Sequence, residues 1–117
     1  MKKRLNALLM IAENTRFKVI PYEMVVMFDA LLACGKVHGV QPVITGAAYE
    51  NYPKGKVHDQ GYALDVRVRG LKDPAAFASG LRHALGAVGS HYKVLYGDPA
   101  HLDHIHIGFS WYYARKI

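Results

Sequence analysis

The sequence predicts one small α+β domain, with two main helices and an antiparallel sheet of about four strands. Three observations predict this class: two segments with apolar residues every three to four positions, several short segments of alternating polarity, and turn-forming residues between them. The 117 residues suit a single domain (residues 1–117) that can bury a core of its own. Apolar residues make up 51% of the chain and charged residues 21%, as is usual for globular proteins.

Two helices are predicted from apolar spacing and from the residues at their ends. The first runs from Pro21, which suits the first turn of a helix, to about His38, with Gly39 as a candidate stop. The second begins after Asp73 as N-cap, with Pro74 in its first turn. The apolar stripes are Met24, Phe28, Leu31 and Leu32 in the first helix and Phe77, Leu81, Leu85 and Val88 in the second.

Four strands are predicted, at about residues 42–45, 62–68, 92–97 and 104–113. Residues 49–61, "YENYPKGKVHDQG", are rich in turn formers and are expected to be irregular. Residues 4–14 are expected to form a short helix or a loose lead-in. In the second and fourth strands an apolar face (Tyr62, Leu64, Val66; Ile105, Ile107, Phe109) alternates with a second face (Ala63, Asp65, Arg67; His104, His106, Gly108).

Charge and composition limit the partners that the chain can have. A net charge of +6 favours polyanions such as nucleic acid, anionic lipid or the bacterial wall. The basic residues are scattered, so no specific nucleic-acid interface is predicted.

The lone Cys34 cannot form an internal disulfide and is expected in the core. No apolar run approaches the roughly 20 residues of a membrane span, and the start, "MKKRLNALLMIAEN", lacks the cleavage site of a signal peptide.

The stretch "HDQGYALD" places His58 and Asp65 seven residues apart. Along one unbroken strand they would be more than roughly 20 Å apart and on opposite faces. A turn at Gly61 would let the two side chains converge, because glycine adopts backbone angles that other residues avoid. Ala63, on the same face as Asp65, leaves space beside the carboxylate.

A second stretch, "HLDHIHIGF", places His104 and His106 on one face of the last predicted strand. If this strand lies beside the strand of Asp65, an aspartate and two histidines can meet over one sheet. Imidazole nitrogen and carboxylate oxygen are ligands that zinc accepts, and three protein ligands leave a fourth position for water. Such a water ionises near neutral pH and can attack a carbonyl group.

The pattern His58-x-x-Gly61-x-Ala63-x-Asp65 resembles the HxxGxAxD motif of the D-alanyl-D-alanine carboxypeptidase and dipeptidase family of zinc peptidases. That family includes phage endolysins that cut peptidoglycan stem peptides, and its fold is shared with hedgehog signalling domains and lysostaphin-like enzymes. The order of predicted helices, strands and motifs is similar across residues 17–110. The resemblance therefore implies a hedgehog-like peptidase fold.

The resemblance also implies a role for each site residue. His58, Asp65 and His106 would be the ligands of Zn²⁺. Asp103 would be the general base, because Asp103-x-x-His106 resembles the acid-x-x-His arrangement of the family. The implied substrate is a peptidoglycan peptide, cut by endopeptidase or carboxypeptidase action. The protein is expected to be a monomer that reaches the bacterial wall by a route other than its own export signal.

Two departures from the family pattern concern the surroundings of the metal. Lys56 stands where relatives often carry serine, and "TGAAYEN" lacks the arginine that helps to stabilise the oxyanion in many relatives. Tyr49, His104 or a lysine of the loop (Lys54 or Lys56) could replace that arginine. His101 is expected at the rim of the site, in contact with substrate.

Two other functions fit parts of the sequence. His104-Ile105-His106 also resembles the His-hydrophobe-His motif of rolling-circle replication nucleases, and Tyr112-x-x-x-Lys116 resembles their nucleophile motif. That alternative places the tyrosine only six residues after His106 and leaves "HDQGYALD" unexplained. A metal-binding module without catalysis, as among hedgehog-like relatives, is the other alternative, and the missing arginine favours it. Within the peptidase hypothesis, His104 is the alternative to His106 as ligand.

Overall fold

The computed structural model describes residues 9–17, 19–51 and 60–110. The elements in chain order are β1 (Met10–Ile11), α1 (Tyr22–His38), β2 (Val43–Asn51), β3 (Gln60–Arg67), α2 (Pro74–Gly86), β4 (Tyr92–Leu95) and β5 (His104–Ser110). The strands form one sheet in the order β1-β2-β3-β5-β4. The α+β class is thus confirmed, with two helices in the described part of the chain.

The sheet differs from the prediction at its first strand. It has five strands and is mixed, because β1 pairs in parallel with β2. The short helix or loose lead-in expected for residues 4–14 is therefore wrong at Met10–Ile11. Main-chain hydrogen bonds to β2 explain the difference: the amide of Met10 donates to Pro42 at 3.0 Å and that of Ala12 to Ile44 at 2.8 Å. This pairing joins residues about 30 positions apart, so local spacing does not reveal it.

Both predicted helices are present. Pro21, expected in the first turn of α1, is instead its N-cap, and the other end signals are as expected. Helix α1 follows Pro21 and ends at Gly39, which adopts the left-handed conformation with φ of 68°. At the start of α2, the side chain of Asp73 accepts a hydrogen bond from the amide of Ala76 at 3.0 Å, and Pro74 occupies the first turn.

The hairpin of β2 and β3 is longer than the alternating polarity predicts. The turn-rich composition predicts irregular structure at residues 49–51 and 60–61, yet they belong to the two strands and pair with each other. The turn expected at Gly61 is also wrong, because Gly61 lies inside β3, in register with Glu50 and Ser110. Pairing between β2 and β3 holds these residues extended, and Gly61 also pairs with β5. His58 lies outside the described residues.

One face of the sheet packs against both helices and forms the core. On β3 and β5 the buried residues include Leu64, Val66, Ile105 and Ile107, all with no exposed surface. The predicted alternation of faces is thereby confirmed. The intervening residues Asp65, His104 and His106 lie on the opposite face, which we call the site face. Cys34 is buried in the core, as expected. None of the described helices is long and apolar enough to cross a membrane.

Candidate metal centre

Asp65 and His106 are direct cross-strand neighbours on the site face. Strands β3 and β5 are antiparallel, and their register pairs Asp65 with His106. The Nδ1 atom of His106 lies 3.0 Å from Oδ1 of Asp65, at hydrogen-bond distance. The buried residues on either side fix this register, because a slip of either strand by one residue would turn its own site residue, Asp65 or His106, into the core.

The separation of these two atoms is close to what zinc requires. A carboxylate oxygen and an imidazole nitrogen bind zinc at about 2.0–2.2 Å, so two such ligands of a tetrahedral ion lie about 3.4 Å apart. The observed 3.0 Å differs from this value by only a few tenths of an ångström. A metal ion could thus replace the hydrogen bond between Asp65 and His106, with release of any proton that they share.

The third predicted ligand, His58, lies outside the described residues. Within residues 9–17, 19–51 and 60–110, no group of three histidine, cysteine, aspartate or glutamate side chains is placed to hold a metal ion. The described structure thus brings two of the three predicted ligands together, and the complete set stays a prediction.

His104 lies next to this pair but is oriented differently. Its Nε2 atom is 3.7 Å from Oδ1 of Asp65, which is an ion-pair distance, and its Nδ1 atom is 2.8 Å from Oδ1 of Asp103. His104 therefore bridges the two carboxylates. Between the two histidines that compete for the ligand position, His106 is the one nearer to the Asp65 carboxylate.

Asp103, the predicted general base, lies at the solvent side of the cluster. Its side chain is 93% exposed and contacts the imidazole of His104. The hydrogen bond with His104 is the largest effect on the Asp103 carboxyl and lowers its pKa below the ordinary value. A carboxylate with a lowered pKa is a weaker proton acceptor. Asp103 therefore needs its partner His104 to move, or to take part, when it accepts a proton.

His101 is one of the expected site residues, whereas its partner, Asp98, is a site residue that the family motifs do not include. The Nδ1 atom of His101 lies 2.7 Å from Oδ1 of Asp98, and its ring centroid is 5.2 Å from that of His104 and 5.6 Å from that of His106. His101 therefore packs against both histidines of β5. A signal for Asp98 is present in the sequence, because Asp98-x-x-His101 repeats the spacing of Asp103-x-x-His106.

The cluster keeps Asp65 ionised. The hydrogen bond with His106 is the largest effect and lowers the pKa of Asp65, whereas partial burial raises it by a smaller amount. The nearby His104 and His101 lower it further. An ionised carboxylate is the form that binds a metal ion.

Tyr49, a candidate for stabilising the oxyanion, lies in β2 at the position paired with Tyr62. Lys54, Lys56, Tyr112 and Lys116 lie outside the described residues. Neither the lysines of the loop nor the nuclease-like tyrosine therefore has a described place in the structure.

Comparisons with models of known protein families, with curated proteins and with solved structures give no match for this chain.

Proposed function

We propose that this protein is a zinc-dependent peptidase that hydrolyses peptide bonds in peptidoglycan stem peptides. One observation carries the proposal: Asp65 and His106 come from two motifs 41 residues apart, and their ligand atoms lie 3.0 Å apart on neighbouring strands. The resemblance of both motifs to those of the zinc peptidases supplies the reaction and the substrate. On this proposal the fold is of the hedgehog and D-alanyl-D-alanine peptidase kind.

The protein groups divide into those that hold the metal and those that surround it. Asp65, His106 and His58 would hold Zn²⁺. When bound, the ion supplies Lewis acidity that polarises a peptide carbonyl and lowers the pKa of water. The hydrogen bond between Asp65 and His106 already orients these two side chains toward each other before any metal binds.

Proton transfer is assigned to Asp103. Its exposed carboxylate contacts His104, and on this proposal it would accept a proton from the attacking water and return it to the leaving amine. His104, held between Asp103 and Asp65, keeps the carboxylate of Asp103 beside the site. His101, held by Asp98, packs against His104 and His106, and on this proposal it would contact the substrate peptide.

The net charge supports an anionic surface as the place of action. A charge of +6 attracts the protein to a wall that carries negative polymers. We propose that it acts as a monomer at the bacterial cell wall. A cut within cross-linking peptides and the removal of a terminal D-alanine are both compatible with the proposal.

Metal content and hydrolysis together test the proposal. The purified protein is expected to hold about one zinc per chain, and His58→Ala and His106→Ala are expected to lose it. His83→Ala, which removes an exposed histidine of α2, is the matched control and should keep the metal. Wild-type protein should release amino groups or D-alanine from purified peptidoglycan, and a chelator should abolish this release.

Three results would contradict the proposal. Folded protein without zinc affinity would exclude the metal centre. Zinc bound by His58 and His106 without hydrolysis of peptidoglycan or its stem peptides would identify a non-catalytic module. Nicking of single-stranded DNA that depends on Tyr112 would favour the nuclease alternative.

A further inference from the structure

A β-bulge in β2 lies directly opposite Asp65. Ile44 pairs with Val66, but the next pair joins Gly46 to Asp65, so two steps along β2 match one step along β3. Thr45 is the extra residue. Bulges bend a strand and redirect the side chains next to them, and they are common beside functional sites.

Thr45 contacts the main chain of Asp65. Its hydroxyl donates a hydrogen bond of 3.4 Å to the carbonyl oxygen of Asp65. This contact joins the extra residue of the bulge to the one residue of β3 that carries a candidate ligand on the site face. The bulge is thus tied to the backbone from which the carboxylate projects.

Gly46 contacts the other end of the same residue. A Cβ atom at position 46 would lie 3.2 Å from Oδ2 of Asp65, which is tighter than most contacts of a real Cβ atom, and 3.6 Å from the Cβ of Asp65. The backbone of Gly46 is not left-handed, so its conformation alone does not require glycine. Glycine weakens a strand, and inside one it often marks a close approach. Here the close approach is to the Asp65 carboxylate.

We propose that the Thr45–Gly46 bulge sets the direction of the Asp65 carboxylate toward His106, with Gly46 as the main positioning residue. The inference deepens the proposed function and rests on it for its purpose, because a carboxylate that must serve as a metal ligand needs a fixed direction. Groups that orient metal ligands commonly change metal affinity when they are altered. The bulge would do so by leaving space on one side of the carboxylate.

The test compares Gly46→Ala with Ala48→Ser. Each substitution adds one heavy atom to the same face of β2, but position 48 pairs with Ala63 and not with Asp65. Zinc affinity is measured by competition with a coloured chelator. The ring nitrogens of His106 are followed in metal-free protein by long-range ¹H–¹⁵N NMR, with His106→Gln to assign the signals.

Gly46→Ala is expected to bind zinc about 10- to 100-fold more weakly than wild type, whereas Ala48→Ser stays within about twofold. In metal-free protein Gly46→Ala should shift the His106 Nδ1 signal, and Ala48→Ser should not. If Gly46→Ala does not fold, Thr45→Val carries the test, with an expected loss of about two- to tenfold in zinc affinity and a shift of the same signal.

The two proposals can fail separately. Wild-type zinc affinity and an unchanged His106 signal in a folded Gly46→Ala or Thr45→Val variant would overturn the positioning role. If wild type binds no zinc, the proposed function fails, and the metal-free His106 signal still decides whether the bulge directs Asp65. An equal loss of zinc affinity in Ala48→Ser would also contradict the inference, because the effect would then be general to β2.

Discussion

The carboxylate of Asp65 lies 3.0 Å from Nδ1 of His106, although 41 residues separate the two in the chain. Antiparallel pairing of β3 with β5 places them in register, and the buried residues beside them keep that register. A hydrogen bond between two potential metal ligands is therefore part of the sheet itself. Side chains that project from strands are positioned more precisely than those on loops.

The first prediction concerns which histidine binds the metal. His106→Gln should weaken zinc binding far more than His104→Gln, because His106 lies at 3.0 Å from Asp65 and His104 only at 3.7 Å. We expect a loss of about 10- to 100-fold for His104→Gln, as for a residue that orients a ligand, and no measurable zinc binding for His106→Gln. The measurement is a zinc titration against a chelator. The opposite order would assign the ligand position to His104.

The second prediction compares the roles of Asp103 and Asp98, each of which contacts a histidine of the cluster. Asp103→Asn should lower kcat on a stem-peptide substrate by about 10²- to 10⁴-fold while zinc stays bound, because asparagine cannot accept the proton. Asp98→Asn makes the matching change beside His101 and should lower kcat by less than about tenfold. Steady-state kinetics of the zinc-loaded variants checks both. A larger loss for Asp98→Asn would move the proton-transfer role to the His101 and Asp98 pair.

The third prediction concerns the start of α2. The side chain of Asp73 satisfies the amide of Ala76, so Asp73→Ala should lower the free energy of unfolding by about 1 kcal/mol. Asp29→Ala is the control, since Asp29 is an exposed carboxylate within α1, and it should change stability by no more than about 0.5 kcal/mol. Urea unfolding measures both. Equal effects would show that Asp73 does not cap the helix.

The fourth prediction concerns alkaline pH. Burial is the main effect that raises the pKa of Tyr92 to about 12, and the nearby Glu23 carboxylate is the second. The Tyr92 hydroxyl donates a hydrogen bond of 2.8 Å to the main-chain carbonyl of Glu23. Since the ordinary pKa of tyrosine is about 10, the folded protein holds this proton more tightly than the unfolded chain does. Stability from Tyr92 is then complete below about pH 10 and is lost as pH rises toward 12.

Tyr92→Phe should therefore flatten the decline in unfolding free energy above about pH 10, and urea unfolding at several alkaline pH values would show it. Tyr96→Phe, four residues along the chain, is the control and should keep the wild-type decline. If Tyr92→Phe follows the same alkaline decline as wild type, the proton of Tyr92 does not contribute to stability in this range.

Local patterns in the sequence are enough to predict much of the fold. Apolar spacing and end signals such as Pro21, Gly39 and Asp73 determine where the helices lie, because helix formation and capping involve residues close together in the chain. Alternating polarity determines which faces of β3 and β5 are buried, because side chains of a strand alternate between its faces. The pattern alone therefore assigns Asp65, His104 and His106 to the faces that point away from the core.

Tertiary structure alone decided which residues meet. The parallel pairing of β1 with β2, the extension of β2 to Asn51 and the bulge at Thr45 depend on hydrogen bonds between segments far apart in the chain. The same holds for the packing of His101 against the histidines of β5. Such contacts depend on strand order and register, which local sequence patterns do not encode. The sequence by itself determined the ligand types and their faces, and the register of β3 against β5 brought Asp65 and His106 together.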